Sequence, residues 1–244
     1  IFLGYRFESV RYFDFSDSYK LRADSIPNSL TKINWPQLTS STSITIQRDD
    51  RNLPQFATKG SFVSWTGELA GGPLAGDWDY QKHVLEASKY LHTLWKLTLI
   101  LKVKAGVIES WRGDKKVPYS EQFAPGGANN PDGIIRGYPD AWVGPKTSAG
   151  IILRGKSEVI YNLEYQFPVV EQQIYALLLA DAGNAWLSYK DTKPFSSKKL
   201  FKSAGFGVRM VVPGIGLIGF DFAYGFDYKP KPQWRPHFIF GSRF

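Results

Sequence analysis

The chain has 244 residues, a formal charge of +8, no cysteine, 23 glycines and an aromatic content of 16%. Without cysteine there are no disulfides, thiolate metal sites or cysteine nucleophiles, and no run of eighteen apolar residues offers a transmembrane helix. The basic residues are scattered, the tightest groups being Lys115-Lys116 and Lys198-Lys199, and no zinc-finger spacing, basic helix or RNA-binding aromatic motif accompanies them, so the charge does not point to nucleic acid.

In chain order, the stretch from Ile1 to Phe15 reads as a strand from its first residue. No basic region, apolar stretch and cleavage site precede it, so a chain starting inside a domain is expected. Period-two alternation then predicts nine more strands, at 41–49, 61–70, 81–92, 94–107, 157–167, 173–186, 201–212, 216–226 and 235–244. From Trp95 to Ala105 the odd positions are all apolar, and the even ones are polar except Ile100, which puts Lys96, Lys102 and Lys104 on one face. Val159, Tyr161, Leu163, Tyr165 and Phe167 oppose Glu158, Asn162, Glu164 and Gln166 in the same way. Ile218, Phe220, Phe222 and Tyr224 oppose Gly219, Asp221, Ala223 and Gly225, a face with so little bulk that something else is expected to pack on it. The strand at 81–92 fits least well, because Lys89 interrupts its apolar face.

Connections alternate in length. Short or modest links fall at 50–60, near 93, at 168–172 and at 213–215; longer ones fall at 16–40, 71–80, 108–156, 187–200 and 227–234. That rhythm, with strands of ten to fourteen residues, predicts an all-β fold, a transmembrane antiparallel β-barrel with its long loops on the extracellular side. A soluble β-sandwich or lipocalin-like barrel is the alternative. Trp95, Trp186 and Phe244, at strand ends, suit interfacial belts.

The connection at 108–156 is long for idle structure. It carries Phe123-Ala124-Pro125-Gly126-Gly127 and then Ile134-Ile135-Arg136-Gly137-Tyr138-Pro139. Glu164, on a polar strand face, and Asp181, in a weakly polar stretch, are placed to point into one lumen region. A guanidinium has five donors in a rigid fork and can satisfy two carboxylates at once, which would tie the loop inside the barrel through Arg136. An exposed surface arginine is the alternative.

These residues resemble the Omp85 superfamily. Ile135-Arg136-Gly137-Tyr138 is similar to its loop signature Val/Ile-Arg-Gly-Phe/Tyr, with Gly126-Gly127 ahead and Gly144-Pro145-Lys146 behind. Leu163-Glu164-Tyr165 and Ala180-Asp181-Ala182-Gly183-Asn184-Ala185-Trp186 resemble the wall motifs that hold the loop arginine. Asp50, Pro54, Thr58 and Gly60 fit the family's turn with Pro54 offset, and Gly205 to Arg209 with Pro213 to Gly216 resembles the penultimate hairpin. The resemblance covers the whole chain and implies the last ten strands of a sixteen-stranded barrel. The first strands and the upstream POTRA domains lie outside this sequence. It further implies a bacterial outer-membrane location and a role in folding and inserting outer-membrane proteins. The implied partners are unfolded outer-membrane proteins, envelope lipoproteins of an assembly complex and outer-membrane lipids. Polypeptide transport of the two-partner secretion type and a general porin are the alternatives.

In the terminal strand Phe238, Phe240 and Phe244 share a face, and Gly241 permits a kink. The expectation is a lateral seam formed by this strand, weak enough to open. No enzyme is expected. His83, His92 and His237 are dispersed, and Gly205-Phe206-Gly207 lacks the rest of a dinucleotide fingerprint. No nucleophile elbow, phosphate-binding loop or His-Glu-x-x-His occurs, so no catalytic residue, cofactor or metal is expected.

Overall fold

A computed structural model describes residues 1–22, 30–53, 56–112, 117–148, 150–212, 216–229 and 231–241. It contains ten strands: β1 (Phe2–Val10), β2 (Gln37–Asp49), β3 (Gly60–Ala70), β4 (Tyr80–His92), β5 (Thr98–Ser110), β6 (Ser157–Val170), β7 (Ile174–Trp186), β8 (Phe201–Val212), β9 (Gly216–Gly225) and β10 (Gln233–Phe240). Each pairs antiparallel with its sequence neighbour in one sheet ordered β1 to β10. Among the described residues β1 and β10 do not pair, so the sheet is open. A short helix, Asp17–Arg22, follows β1, and among the described residues no helix is long and apolar enough to cross a membrane.

All ten predicted strands are present, with several ends shifted by up to five residues. The first stops at Val10 instead of Phe15, and Asp14, at φ 54°, turns the chain away. β2 begins at Gln37, its edge held where the Asp77 carboxylate accepts the Leu38 N–H at 2.6 Å. β5 begins at Thr98, because the Thr93 N–H donates to the Leu97 carbonyl (2.9 Å) and Trp95 takes φ 58°, closing a turn.

Alternation sets the two faces. Leu85, Leu101, Val103, Leu163, Leu178, Phe206, Val208 and Phe220 point outward and are 39–54% exposed. Arg6, Glu68, Lys82, Lys104, Glu164, Asp181, Arg209 and Asp221 line the inner face and pair with one another or with the long loop. A soluble sandwich would bury the apolar face and wet the charged one. Here the continuous apolar exterior has hydrocarbon as its natural solvent, and the inside is polar, the arrangement of a membrane barrel wall. Lys89 lies on the outer face near the hairpin end of β4, opposite Ser61 and Leu101, from where a long side chain reaches an interface.

Two apolar residues of the inner face are enclosed. Ile160 packs with Ile135, Tyr138 and Val143, and Ile100, the exception in its strand's polar face, is 3% exposed. Trp186 corrects the aromatic-belt reading. It is buried, and the end of the long loop runs beside its backbone, the Lys156 N–H donating to its carbonyl at 2.7 Å. Trp95 does project outward from its turn; Phe244 lies outside the described residues.

Candidate functional site

The connection between β5 and β6 folds onto the inner face. Its framework is made of backbone contacts: Gly126 N–H donates to Gly133 O (3.0 Å), Ile135 N–H to Gly127 O (3.1 Å) and Phe123 N–H to Gly155 O (2.8 Å). This path delivers Arg136 to the wall, where its side chain is 2% exposed.

Arg136 meets three carboxylates. Nε donates to Asp181 Oδ2 at 2.8 Å and Nη2 to Asp181 Oδ1 at 2.7 Å, a two-pronged pair. Nη1 donates to Glu164 Oε1 at 2.6 Å and to Asp221 Oδ2 at 3.3 Å. The Arg136 backbone N–H also donates to Asp181 Oδ2 at 2.9 Å. Asn162 fixes the far side, donating to Asp181 Oδ1 (2.8 Å) and to the Ile134 carbonyl (2.9 Å). Burial alone would push the guanidinium down; Asp181, Glu164 and Asp221 reverse this and hold it well above its ordinary value.

The sequence placed Arg136, Glu164 and Asp181 together, and the structure brings them together. It adds Asp221 and Arg209. Arg209 forks onto both Asp221 oxygens, with Nη2 at 2.5 Å from Oδ2. The small face of β9 makes room for this: a Cβ on Gly219 would stand 2.6 Å from Arg209 Cδ, and one on Gly207 would overlap Asp221. The bare face noted in the sequence is thus filled by a side chain from β8. Glycines at 207 and 219, each facing a charge across the β8–β9 pair, were the legible sign.

Gly137 follows Arg136 at φ 86°, a left-handed conformation, and a Cβ there would stand 2.9 Å from the Gly225 nitrogen. Its N–H donates to His237 Nε2 at 2.8 Å, tying the loop to β10. Tyr138 donates to the Lys202 carbonyl (2.7 Å), accepts the Asp227 N–H (3.1 Å), and stacks on Trp142. Burial pushes its phenol up.

A second attachment, missed in the sequence, lies nearer the start of the loop. Glu121 accepts from Arg6 Nη1 of β1 at 2.7 Å and from Lys82 Nζ of β4 at 3.2 Å. Arg6 also donates to Glu68 (2.7 Å) and to the Tyr80 hydroxyl (2.6 Å). Burial raises the Glu121 carboxyl, and Lys82 and Arg6 together overcome this and hold it below the usual range. A single acid near Pro118 carried no pattern that pointed across 115 residues to Arg6.

In β10, Phe238 and Phe240 share the outer face, 73% and 72% exposed. The strand ends at Phe240, and Gly241 takes φ 99°, the kink its glycine allowed, while its N–H still donates to Leu217 O at 2.9 Å. In the hairpin after β2, Asp50 accepts from the Ser61 hydroxyl (2.9 Å) and Asn52 from the Thr58 and Lys59 N–H groups. Pro54 lies outside the described residues.

An apolar exterior, a charged interior and a loop pinned inside by a buried guanidinium define an outer-membrane β-barrel domain with an inward-folded loop. The chain belongs to the Omp85 superfamily, whose domain matches residues 1–244. It is 27% identical over 237 residues to the outer membrane protein assembly factor BamA of Nitratidesulfovibrio vulgaris, covering 96% of this chain and 28% of that protein. A SAM50-like protein of Schizosaccharomyces pombe is 28% identical over 219 residues, covering 78% of this chain and 45% of that protein. BamA of Neisseria meningitidis serogroup B is 27% identical over 177 residues, covering 60% and 22%. The crystal structure of BamA from Haemophilus ducreyi lacking POTRA domains 1–3 superposes with a TM-score of 0.72 at 20% identity, over 97% of this chain and 49% of that one. The chain therefore spans less than half the length of each of these relatives.

Proposed function

We propose that this chain is the carboxy-terminal barrel portion of a bacterial assembly factor that folds and inserts outer-membrane proteins, without nucleotide or bond chemistry. The observation that carries the reading is the Arg136 network, which holds a long loop against the wall while the same loop touches β10 through Gly137 and His237. A loop so held controls the strand that forms a seam. The names of the BamA relatives support assembly over transport or passive permeation.

The physical lever is the strand edge. In hydrocarbon each unpaired backbone group costs several kcal/mol, whereas a net hydrogen bond in water is worth about 1 kcal/mol. An edge that offers a ladder to an incoming strand therefore has its greatest effect within the bilayer. Arg136, Gly137, Tyr138, Glu164 and Asp181 act as the loop anchor. Phe238, Phe240, Gly241 and Phe244 act as the seam, with the kink at Gly241 shortening the ladder. Unfolded outer-membrane proteins are the clients, and envelope lipoproteins and membrane lipids the partners.

The test is depletion of the full-length protein from its own cell, followed by quantification of heat-modifiable outer-membrane proteins, with rescue by wild type or Arg136→Ala. A broad loss restored by wild type and poorly by the variant is expected. Loss of a single secreted protein, with other barrels folding normally, would assign the chain to transport instead.

A further inference from the structure

The ladder between β9 and β10 fixes which way each backbone group of β10 faces. Gly241 donates to Leu217 across that ladder, and Pro236 has no N–H to give it. The odd residues of β10 thus face β9. The carbonyls of Trp234, Pro236, Phe238 and Phe240 face the other edge, where no strand pairs among the described residues. One of these carbonyls has a partner from an unexpected place. Asn129 of the long loop donates from Nδ2 to the Phe238 oxygen at 2.6 Å.

Asn129 is placed to reach that edge. The segment 127–135 is closed at its base by the bridge between Gly127 and Ile135. Inside it, Asn130 donates to the Ala124 carbonyl (2.6 Å) and accepts the Asp132 N–H (2.9 Å), which stiffens the excursion. Asn129 at its tip stays exposed. One residue away along β10, His237 accepts the Gly137 N–H at 2.8 Å on the inner face. The loop therefore grips consecutive residues of β10, once from the inside and once at the edge.

We propose that Asn129 is a cap on the seam: its carboxamide occupies the acceptor at Phe238 that the backbone N–H of a pairing strand would need. This rests on the reading of β10 as a strand whose seam opens. A pairing strand, whether from the barrel itself or from a client, exchanges its own N–H for the Asn129 donor, so the carbonyl is never left bare. Pro236 has no N–H for a partner, so it interrupts the edge between Trp234 and Phe238, and Phe238 is the first position beyond it offering both a donor and an acceptor. Capping it limits how far the seam zips.

The experiment is peptide-level hydrogen exchange over residues 233–241 in the full-length protein in lipid nanodiscs, comparing wild type with Asn129→Ala, Asn129→Asp and Asn129→Gln. One competing hydrogen bond corresponds to about a fivefold change in the pairing equilibrium. Asn129→Ala and Asn129→Asp, which cannot donate, should slow exchange of the edge amides about fivefold as the seam zips, and Asn129→Gln should behave as wild type. A residue that merely braces β10 gives the opposite sign, faster exchange on removal, and that result overturns the proposal, as does no change in any variant. Exchange reads the seam directly, so a null result here leaves the assembly reading standing, while normal folding of other barrels after depletion of the protein would remove that reading alone.

Discussion

Replacing Arg136 by methionine keeps most of the side-chain volume and removes the charge. Four side-chain hydrogen bonds disappear, three of them between 2.6 and 2.8 Å. Two guanidiniums now face three buried carboxylates; afterwards Arg209, already engaged with Asp221, is the one guanidinium left, and Lys102 acts only from its strand on Glu164. A unit charge about 4 Å from its partner, at an effective dielectric near 20, is worth about 4 kcal/mol, and breaking buried pairs typically costs about 3–5 kcal/mol. The two arguments agree on a docked loop weakened by a factor of about a thousand. Hydrogen exchange of residues 124–139 in the membrane-embedded, full-length protein reads this as lost protection. The triple variant Arg136→Met, Glu164→Gln, Asp181→Asn removes the orphaned charges and should recover most of the protection. If the single variant keeps wild-type protection, or the triple variant is as exposed as the single, the network is not held by charge compensation and the reasoning fails.

At Gly219, valine would place its Cβ 2.6 Å from Arg209 Cδ and evict that side chain from Asp221; overpacking of this kind costs about 1–3 kcal/mol, visible as loss of the heat-modifiable form at a lower temperature. The Glu121 carboxyl is held below its ordinary value, so its contribution is fully present above about pH 4.3 and is lost as the pH falls through the lower folded value. Acid should therefore lower the protection factors of residues 117–123 relative to their intrinsic exchange rates, and Glu121→Gln should abolish that dependence; an unchanged acid profile in the variant would contradict the sign.

Strand existence was legible because a two-residue period needs only a wet face and a dry one, and every inward charge of β5, β6 and β9 obeyed it. Strand ends were less so. Asp14 and Trp95 leave the ladder by left-handed turns that neither residue type announces. Arg136, Glu164 and Asp181 were legible because the loop motif and the parity of two strands converged on one spot. Asp221 was visible as the lone acid on a bare face, yet its partner Arg209 becomes evident only once the β8–β9 register sets Gly207 opposite Asp221 and Gly219 opposite Arg209. His237 was read as one of three dispersed histidines. Its contact with Gly137 spans 100 residues and depends on the loop's path, which no local pattern encodes. Trp186 failed for a related reason: an aromatic at a strand end is an interfacial anchor only when it is exposed, and Trp186 is buried beside Gly155 and Lys156.

The two attachments of the loop differ in kind, and the difference predicts which yields first. At the Glu121 end, Arg6 is 37% exposed and Glu121 18%, and the pair bridges to β1. At the other end Arg136 is 2% exposed and Asp181 fully enclosed. Salt screens exposed charges over a length that falls from about 10 Å at 0.1 M to about 3 Å at 1 M, and reaches buried pairs far less. Raising the salt should therefore release residues 117–123 while leaving 134–138 protected, so that the loop detaches from the β1 side and stays docked on the wall beside β10. Were both ends to loosen together, the loop would be a single cooperative plug, and its hold on β10 could not be separated from its hold on β1. Independent release would leave Asn129 and Gly137 in place on β10 while the opposite edge of the sheet moves, which is the mechanical condition for a seam that opens on one side only.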